Sequence, residues 1–312
     1  MTPIRKVEVT EVGPRDGFQN EKNPISTEVK VALINRLIDA GIPRIEATSF
    51  VSPKAVPQMA DAAEVIKGID RSKGTIISAL VPNARGAIRA AESGVDEMVL
   101  FVSASESHNK KNVNRTTEES LQGFEEVARI AQDAKIQLHG AIATAFGCPF
   151  EGNVPVERLA MIAKRFQDMG FVGMTFGDTT GMATPKNVRA GVRAVREAAP
   201  KLAMNLHFHN TRGVGLACVM AGLDEGVDKY ESSFGGIGGC PFAPKATGNI
   251  CTEDLVYLLQ EMDIETGVDL AKLTAIARDV ETVIGRPLPG QIMKAGHRLE
   301  LHDMNAVRTA EG

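Results

Sequence analysis

Short apolar stretches alternate along this chain with longer stretches in which apolar residues recur every three to four positions, one pair per roughly 30 residues. The first apolar stretch covers residues 7–12, where Val7, Val9 and Val12 with Thr10 have the composition of a short buried strand. Gly13 and Pro14 stop it, because proline cannot donate to a strand ladder and glycine permits a turn. Ser26-Thr27-Glu28 then opens an amphipathic run over 29–40, with Val29, Leu33, Ile34, Leu37 and Ile38 on one stripe and Gly41 as its end. The same reading predicts further strands at 45–49, 75–81, 97–102, 136–143, 172–176, 204–208 and 229–234. Helices fall between them: one ending at Lys67, one after Pro82-Asn83, a long one from Thr116, then 155–169, 185–199 and 214–225. Eight units with no break in composition predict an α/β protein built as a single (β/α)8 TIM barrel rather than a doubly wound sheet. One more amphipathic helix at 270–284 is broken by Arg286-Pro287-Leu288-Pro289-Gly290. The expected organisation is a barrel domain over 1–285, including this post-barrel helix, and a C-terminal tail over 286–312.

Composition narrows the classes of function. A length of 312 residues fits one barrel of roughly 250 residues with an extension. A formal net charge of −4 disfavours nucleic acid or an anionic membrane as partner, and the absence of Trp disfavours base stacking. No run of about 18 apolar residues is present, and no apolar segment follows the opening charges, so neither a membrane span nor a secretory signal is expected. Cys148, Cys218, Cys240 and Cys251 show no CxxC spacing, so a reduced, cytoplasmic enzyme is the simplest fit.

In a barrel, chemistry gathers where the strands end. Here the first strand ends in Arg15 and Asp16, the second carries Glu46, Thr48 and Ser49, the sixth leads to Asp178, and the seventh carries His207 and His209. Arg15 and Asp16 alone could be a surface ion pair. His207 and His209 alternate with Leu206 and Phe208, so both imidazoles lie on one strand face, about 6 to 7 Å apart along it. An isolated pair of this kind also fits strand capping. Late in a barrel, with only the eighth strand between it and Asp16, it points to a divalent ion. The remaining histidines, His108, His139, His297 and His302, lack such company and read as ordinary surface or core residues. Beyond the eighth strand, Gly235, Gly236, Gly238 and Gly239 suggest a phosphate cradle, a mobile lid or a packing turn, with Cys240 at the tip. Asn249, just after it, offers a hard amide oxygen suited to Mg²⁺ or Mn²⁺, and no thiolate ligand argues for structural zinc.

Three motifs together carry a family resemblance: residues 11–22 (EVGPRDGFQNEK), 49–54 (SFVSPK) and 238–243 (GGCPFA). They resemble the 3-hydroxy-3-methylglutaryl-CoA (HMG-CoA) lyases, in the same order, from about Ile4 to about Gly285. The resemblance implies that Asp16, His207, His209 and Asn249 bind the divalent cation. It implies that Arg15 stabilises an enolate, that Cys240 is a lid thiol in proton transfer, and that Glu46 and Asp178 complete the catalytic network. Gln19 is expected to meet a CoA thioester substrate, the basic pair Lys110-Lys111 reads either as a contact for CoA phosphates or as a solvated pair, and the family implies a homodimer. The implied reaction is retro-Claisen cleavage of HMG-CoA to acetyl-CoA and acetoacetate.

Two departures bear on the acyl substrate. Asn210-Thr211-Arg212-Gly213 stands where the family has Asp-Thr-Tyr-Gly, and Thr175-Phe176-Gly177 where Ser-Leu-Gly is usual. Both are expected at the barrel mouth, with Arg212 either rimming the acyl pocket or pointing to solvent as a neutral change; in the first case a citramalyl- or methylmalyl-type CoA ester is the alternative substrate. A Claisen-type synthase would share the metal site, but no appended regulatory domain is expected after the barrel, and the Cys240 lid motif resembles that of the lyases. A catalytically silent scaffold would not need Arg15, Asp16, His207, His209 and Asn249 together.

Overall fold

The computed structural model describes residues 4–239 and 248–301. Eight parallel strands close a barrel in sequential order: β1 (Glu8–Glu11), β2 (Arg44–Ser49), β3 (Ile76–Leu80), β4 (Glu97–Ser103), β5 (Gln137–Ala143), β6 (Gly173–Gly177), β7 (Ala203–His207) and β8 (Lys229–Ser232). β8 returns to β1 with Glu8 opposite Lys229 and Glu11 opposite Ser232. The helices α1 (Thr27–Asp39), α2 (Ala62–Gly68), α3 (Ala84–Ser93), α4 (Glu106–Val113), α5 (Thr117–Asp133), α6 (Val156–Asp168), α7 (Pro185–Ala198), α8 (Gly215–Asp224) and α9 (Thr252–Gln260) follow in chain order. Beyond them, α10 (Leu270–Ile284) packs against α9 and α1, and α11 (Ile292–Ala295) packs on α9 and α10. No helix among the described residues is long and apolar enough to cross a membrane.

The local signals are satisfied by hydrogen bonds. Ser26, Asn83 and Thr116 each accept, through the side chain, from the backbone N–H three residues on, and Glu119 returns the bond to Thr116. Two helices lie outside the sequence expectation. α4 is a short element opened by Ser105 before the long α5. α9 supplies the helix after β8, and the predicted post-barrel helix at 270–284 is α10.

The faces of the strands divide the labour. Val9, Ile45, Ile77, Met98, Leu100, Ile142, Met174, Phe176 and Leu206 are fully buried in one apolar core with helix residues such as Leu33, Val65, Ile162 and Val192. Between them sit polar residues that point into the barrel. Near its amino-terminal end, Arg44 bridges Glu8 at 3.2 Å and Glu97 at 2.7 Å, and Lys229 reaches Glu8 at 3.0 Å. A barrel interior is commonly filled by branched apolar side chains; here polar pairs occupy much of it and must satisfy one another.

Candidate active site

At the carboxyl ends of the strands lies a cavity of about 410 Å³. Arg15, Asp16, Glu46, Thr175, His207, His209 and Glu231 line its polar side, and Val51, Val56, Leu80, Val99 and Phe101 its apolar side. The strand pairing places Gly177, His207 and Glu231 side by side on β6, β7 and β8.

After β1 the chain does not simply turn. Residues Gly13–Gly17 wind into one wide helical turn, in which the Asp16 N–H donates to the Val12 carbonyl at 2.7 Å. That turn carries Arg15 and Asp16 inward. Arg15 is gripped on both sides: Nη1 donates to Asp16 Oδ1 and Nη2 to Glu46 Oε2, each at 2.7 Å, with its side chain 12% exposed. Burial opposes the charge, but Glu46 and Asp16 outweigh it and hold the guanidinium firmly protonated. Burial likewise works against the Asp16 carboxylate, yet Arg15, His207 and His209 keep it below the usual carboxylate range. Glu46 ends on the other side of its ordinary value, raised chiefly by burial.

Asp16, His207 and His209 each offer one ligand atom, all within 4.8 Å of one another. The rings of His207 and His209 are 5.2 Å apart, although only His207 belongs to β7; His209 lies just beyond, bridged to Asn249. Asn249 Nδ2 donates to Asp16 Oδ2 at 2.8 Å and to the Ile237 carbonyl at 3.0 Å. Its Oδ1 is buried and has no hydrogen-bond partner among the described residues. A buried acceptor left open beside a carboxylate and two imidazoles is what a divalent cation with oxygen and nitrogen ligands would satisfy. The donor set fits such an ion.

The glycines explain how the segment after β8 reaches this site. Gly238, at φ 108°, lies so close that a Cβ there would stand 2.5 Å from Asn249 Nδ2 and 2.8 Å from Asp16 Oδ2. A Cβ on Gly17 would likewise strike Ile237. Asn20 Nδ2 joins the two segments, donating to the carbonyls of Asp16 at 2.9 Å and Gly239 at 2.7 Å. Cys240 itself lies outside the described residues, as does His302.

Other expected site residues are placed less directly. Gln19 lines the cavity and donates to Asp16 Oδ1 at 3.3 Å. Asp178 is buried behind the histidines, outside the cavity lining, where its Oδ1 accepts from the N–H groups of Met182 and Ala183 at 2.7 and 2.9 Å. Burial holds its carboxyl at about 7 despite those donors. Lys110 and Lys111 are exposed on α4, whose inner face puts His108 and Asn112 into the cavity wall; Lys111 lies over the Phe150 ring at 4.9 Å. Arg212 departs from expectation. Its Nη1 donates to the carbonyls of Thr180 and Gly181 at 3.2 and 2.5 Å, and it does not line the cavity.

Three residues to which the sequence reading assigned no such role belong here. Glu231 accepts from His207 Nδ1 at 3.0 Å, and the pair stabilises charge on both partners against burial. Thr175 donates to Glu231 at 2.5 Å. His108, set aside as ordinary, is fully buried in the cavity wall with Nδ1 2.5 Å from Ser103 Oγ. The available signal was an acidic residue, Glu231, at the carboxyl end of the eighth strand, where a barrel gathers its chemistry.

Comparison with known proteins adds the following. The HMGL-like family profile matches residues 6–280. A hydroxymethylglutaryl-CoA lyase of Bacillus subtilis is 45% identical over 287 residues, covering 92% of this chain and 96% of the relative. The human mitochondrial hydroxymethylglutaryl-CoA lyase is 43% identical over 295 residues, covering 95% of this chain and 91% of the relative. Among solved structures, an HMG-CoA lyase from Acinetobacter baumannii, in complex with coenzyme A and 3-methylmalate, superposes with a TM-score of 0.92 at 43% identity, covering 96% of this chain and 98% of its own.

Proposed function

The chain belongs to the HMGL-like family, and from that premise we propose that it is a metal-dependent carbon–carbon lyase cleaving HMG-CoA to acetyl-CoA and acetoacetate. The observation that carries the reading is the meeting, in one cavity, of a doubly paired guanidinium and the Asp16–His207–His209 cluster. Asp16, His207, His209 and Asn249 would hold a Mg²⁺ or Mn²⁺ ion, whose charge would make the substrate hydroxyl more acidic.

The protein's own groups supply the rest. As the C2–C3 bond breaks, its electron pair moves toward the thioester oxygen. Among the described residues Arg15 is the cation at the cavity wall available to that growing charge, and a preorganised donor there is typically the largest catalytic term. The hydroxyl proton needs an acceptor. Glu46 lines the cavity, its Oε1 has no partner among the described residues, and burial raises its basicity, so it is the proposed base. The acetyl-CoA carbanion then takes a proton at C2, a role the family resemblance assigns to Cys240. Asp178, behind the cavity, is proposed to hold the loop after β6 and the backbone of His209. Gln19 supports Asp16 from within the cavity, and Lys110 and Lys111 remain the proposed contacts for CoA phosphates.

The A. baumannii relative's complex with coenzyme A and 3-methylmalate supports a CoA moiety and a hydroxy dicarboxylate as the two ends of the substrate. The working unit is proposed to be a cytoplasmic homodimer, which light scattering of the purified protein would test. The deciding assay measures acetyl-CoA release from HMG-CoA and from citramalyl-CoA, before and after chelation and after return of Mg²⁺ or Mn²⁺. Turnover of HMG-CoA that is abolished by chelator and restored by either ion is expected. Undiminished turnover in excess chelator would overturn the metal-dependent reading, and faster cleavage of citramalyl-CoA would replace the substrate.

A further inference from the structure

The polar interior of the barrel contains an unbroken line of hydrogen bonds that ends on an ion ligand. His139 on β5 lies with Nε2 2.9 Å from Thr175 Oγ1 on β6. Thr175 Oγ1 donates to Glu231 Oε1 on β8 at 2.5 Å, and Glu231 Oε2 faces His207 Nδ1 on β7 at 3.0 Å. All four residues are buried or nearly so; His139 and Thr175 are 6% and 3% exposed, and His207 is 8% exposed. Deeper still, His139 Nδ1 stands 3.9 Å from Glu97 Oε2, and Glu97 is held by Arg44 at 2.7 Å.

The directions along this line are constrained. A hydroxyl has one proton, and that of Thr175 goes to Glu231, so His139 must donate from Nε2 to the Thr175 oxygen. Both oxygens of Glu231 are then occupied as acceptors, one by Thr175 and one by His207. His207 therefore carries a proton on Nδ1 and presents the lone pair of Nε2. Which imidazole nitrogen is free to bind a metal is set by the bond the other one makes.

We propose that Glu231 is a positioning residue that fixes His207 as an Nε2 ligand of the divalent ion, and that Thr175, braced by His139, holds Glu231 in place. The inference rests on the ion site proposed above and adds three residues to it from deeper in the barrel. It also explains the Thr175 position differently from a change in acyl pocket. What that site requires is a hydroxyl, which threonine and serine both supply.

Glutamine cannot replace Glu231 in this role. Its side chain offers one acceptor oxygen, while its amide nitrogen would present a donor to a donor, either Thr175 or His207. The test is Mn²⁺ binding to the metal-free protein, followed by electron paramagnetic resonance of free Mn²⁺, with folding checked by circular dichroism. Glu231→Gln is expected to weaken Mn²⁺ binding by about 10- to 100-fold, the scale for removing an outer partner of a metal-ligating histidine. Thr175→Val, which keeps the shape and removes the hydroxyl, should weaken it in the same direction by less, and Thr175→Ser should bind as wild type does. Wild-type affinity in a folded Glu231→Gln variant overturns the proposal. If Glu231→Gln does not fold, wild-type affinity in Thr175→Val overturns it instead, and a loss restored by Thr175→Ser upholds it. Failure of the wild-type protein itself to bind Mn²⁺ would fault the ion site and not the role of Glu231.

Discussion

Replacing Arg15 by methionine separates the catalytic from the structural work of one side chain. The guanidinium makes two charge-assisted hydrogen bonds of 2.7 Å, to Asp16 and Glu46, and the Glu46 side chain is only 5% exposed. Methionine keeps most of the volume but leaves Glu46 buried near Asp16 and Glu231 with no cation. Removing one partner of a buried pair costs about 3–5 kcal/mol. Glu46 can escape part of this by taking up a proton, since burial already raises its pKa, so the loss should lie near the lower end. A loss of about 3 kcal/mol lowers the melting temperature of a 312-residue chain by roughly 4–6 °C. The catalytic loss is distinct: without a donor at the thioester oxygen, kcat should fall by about 10²- to 10³-fold. Mn²⁺ affinity should stay the same or tighten, because a cation beside Asp16 has been removed. The double variant Arg15→Met/Glu46→Gln no longer strands a carboxylate. It should recover most of the lost stability and none of the lost turnover, which acetyl-CoA release and thermal melts would read together. Normal kcat in the single variant would refute the role given to Arg15, and recovery of turnover in the double variant would refute both that role and the one given to Glu46 as base.

Three further outcomes follow from the same residues. Cys240→Ala should keep its affinity for the CoA ester and lose most turnover; wild-type kcat would leave that thiol without a chemical role. Arg212→Tyr should lower stability by about 1–2 kcal/mol through loss of its bonds to the Thr180 and Gly181 carbonyls. It should leave the ratio of kcat/KM for HMG-CoA and citramalyl-CoA unchanged, and a shifted ratio would return Arg212 to the acyl pocket. Glu253 accepts from the Gly235 N–H at 3.0 Å, and burial raises its carboxyl from 4.5 to about 8. The folded protein thus holds a proton that the unfolded chain releases between those values, so stability falls as pH rises through that window. Glu253→Gln should flatten the slope of urea midpoints measured across it, and an unchanged slope would assign the pH dependence elsewhere.

Much of the fold could be read from the chain because its signals are local. An apolar stripe of period 3.6, a capping side chain such as Ser26 or Thr116, and a glycine or proline stop act within one or two turns, and each was met by the bond it predicted. α4 and α9 were missed for the same reason: α4 is a short, polar helix opened by one serine, and α9 follows a glycine-rich stretch that reads as loop. The proposed ion-binding trio, which the fold brings within 4.8 Å, could be picked out because His207 and His209 are two residues apart and Asp16 follows the first strand. A barrel then has only one place to bring strand ends together.

The tertiary structure alone decided the rest. Glu231 meets His207 across 24 positions of sequence and Thr175 across 56, and nothing local to any of them marks the contact. It exists because barrel closure and strand register set β6, β7 and β8 side by side at that height. Arg212 shows the converse. Three residues past His209, a proposed ion ligand, its position in sequence pointed to the acyl pocket. The fold instead places it against two open carbonyls of the neighbouring loop, where a guanidinium makes hydrogen bonds that the chain by itself could not foretell. Sequence therefore determined the elements and the residues with chemistry at their ends, since both depend on neighbours along the chain. Which of those residues touch, and which atom of each is left for the substrate or ion, depends on neighbours across the barrel.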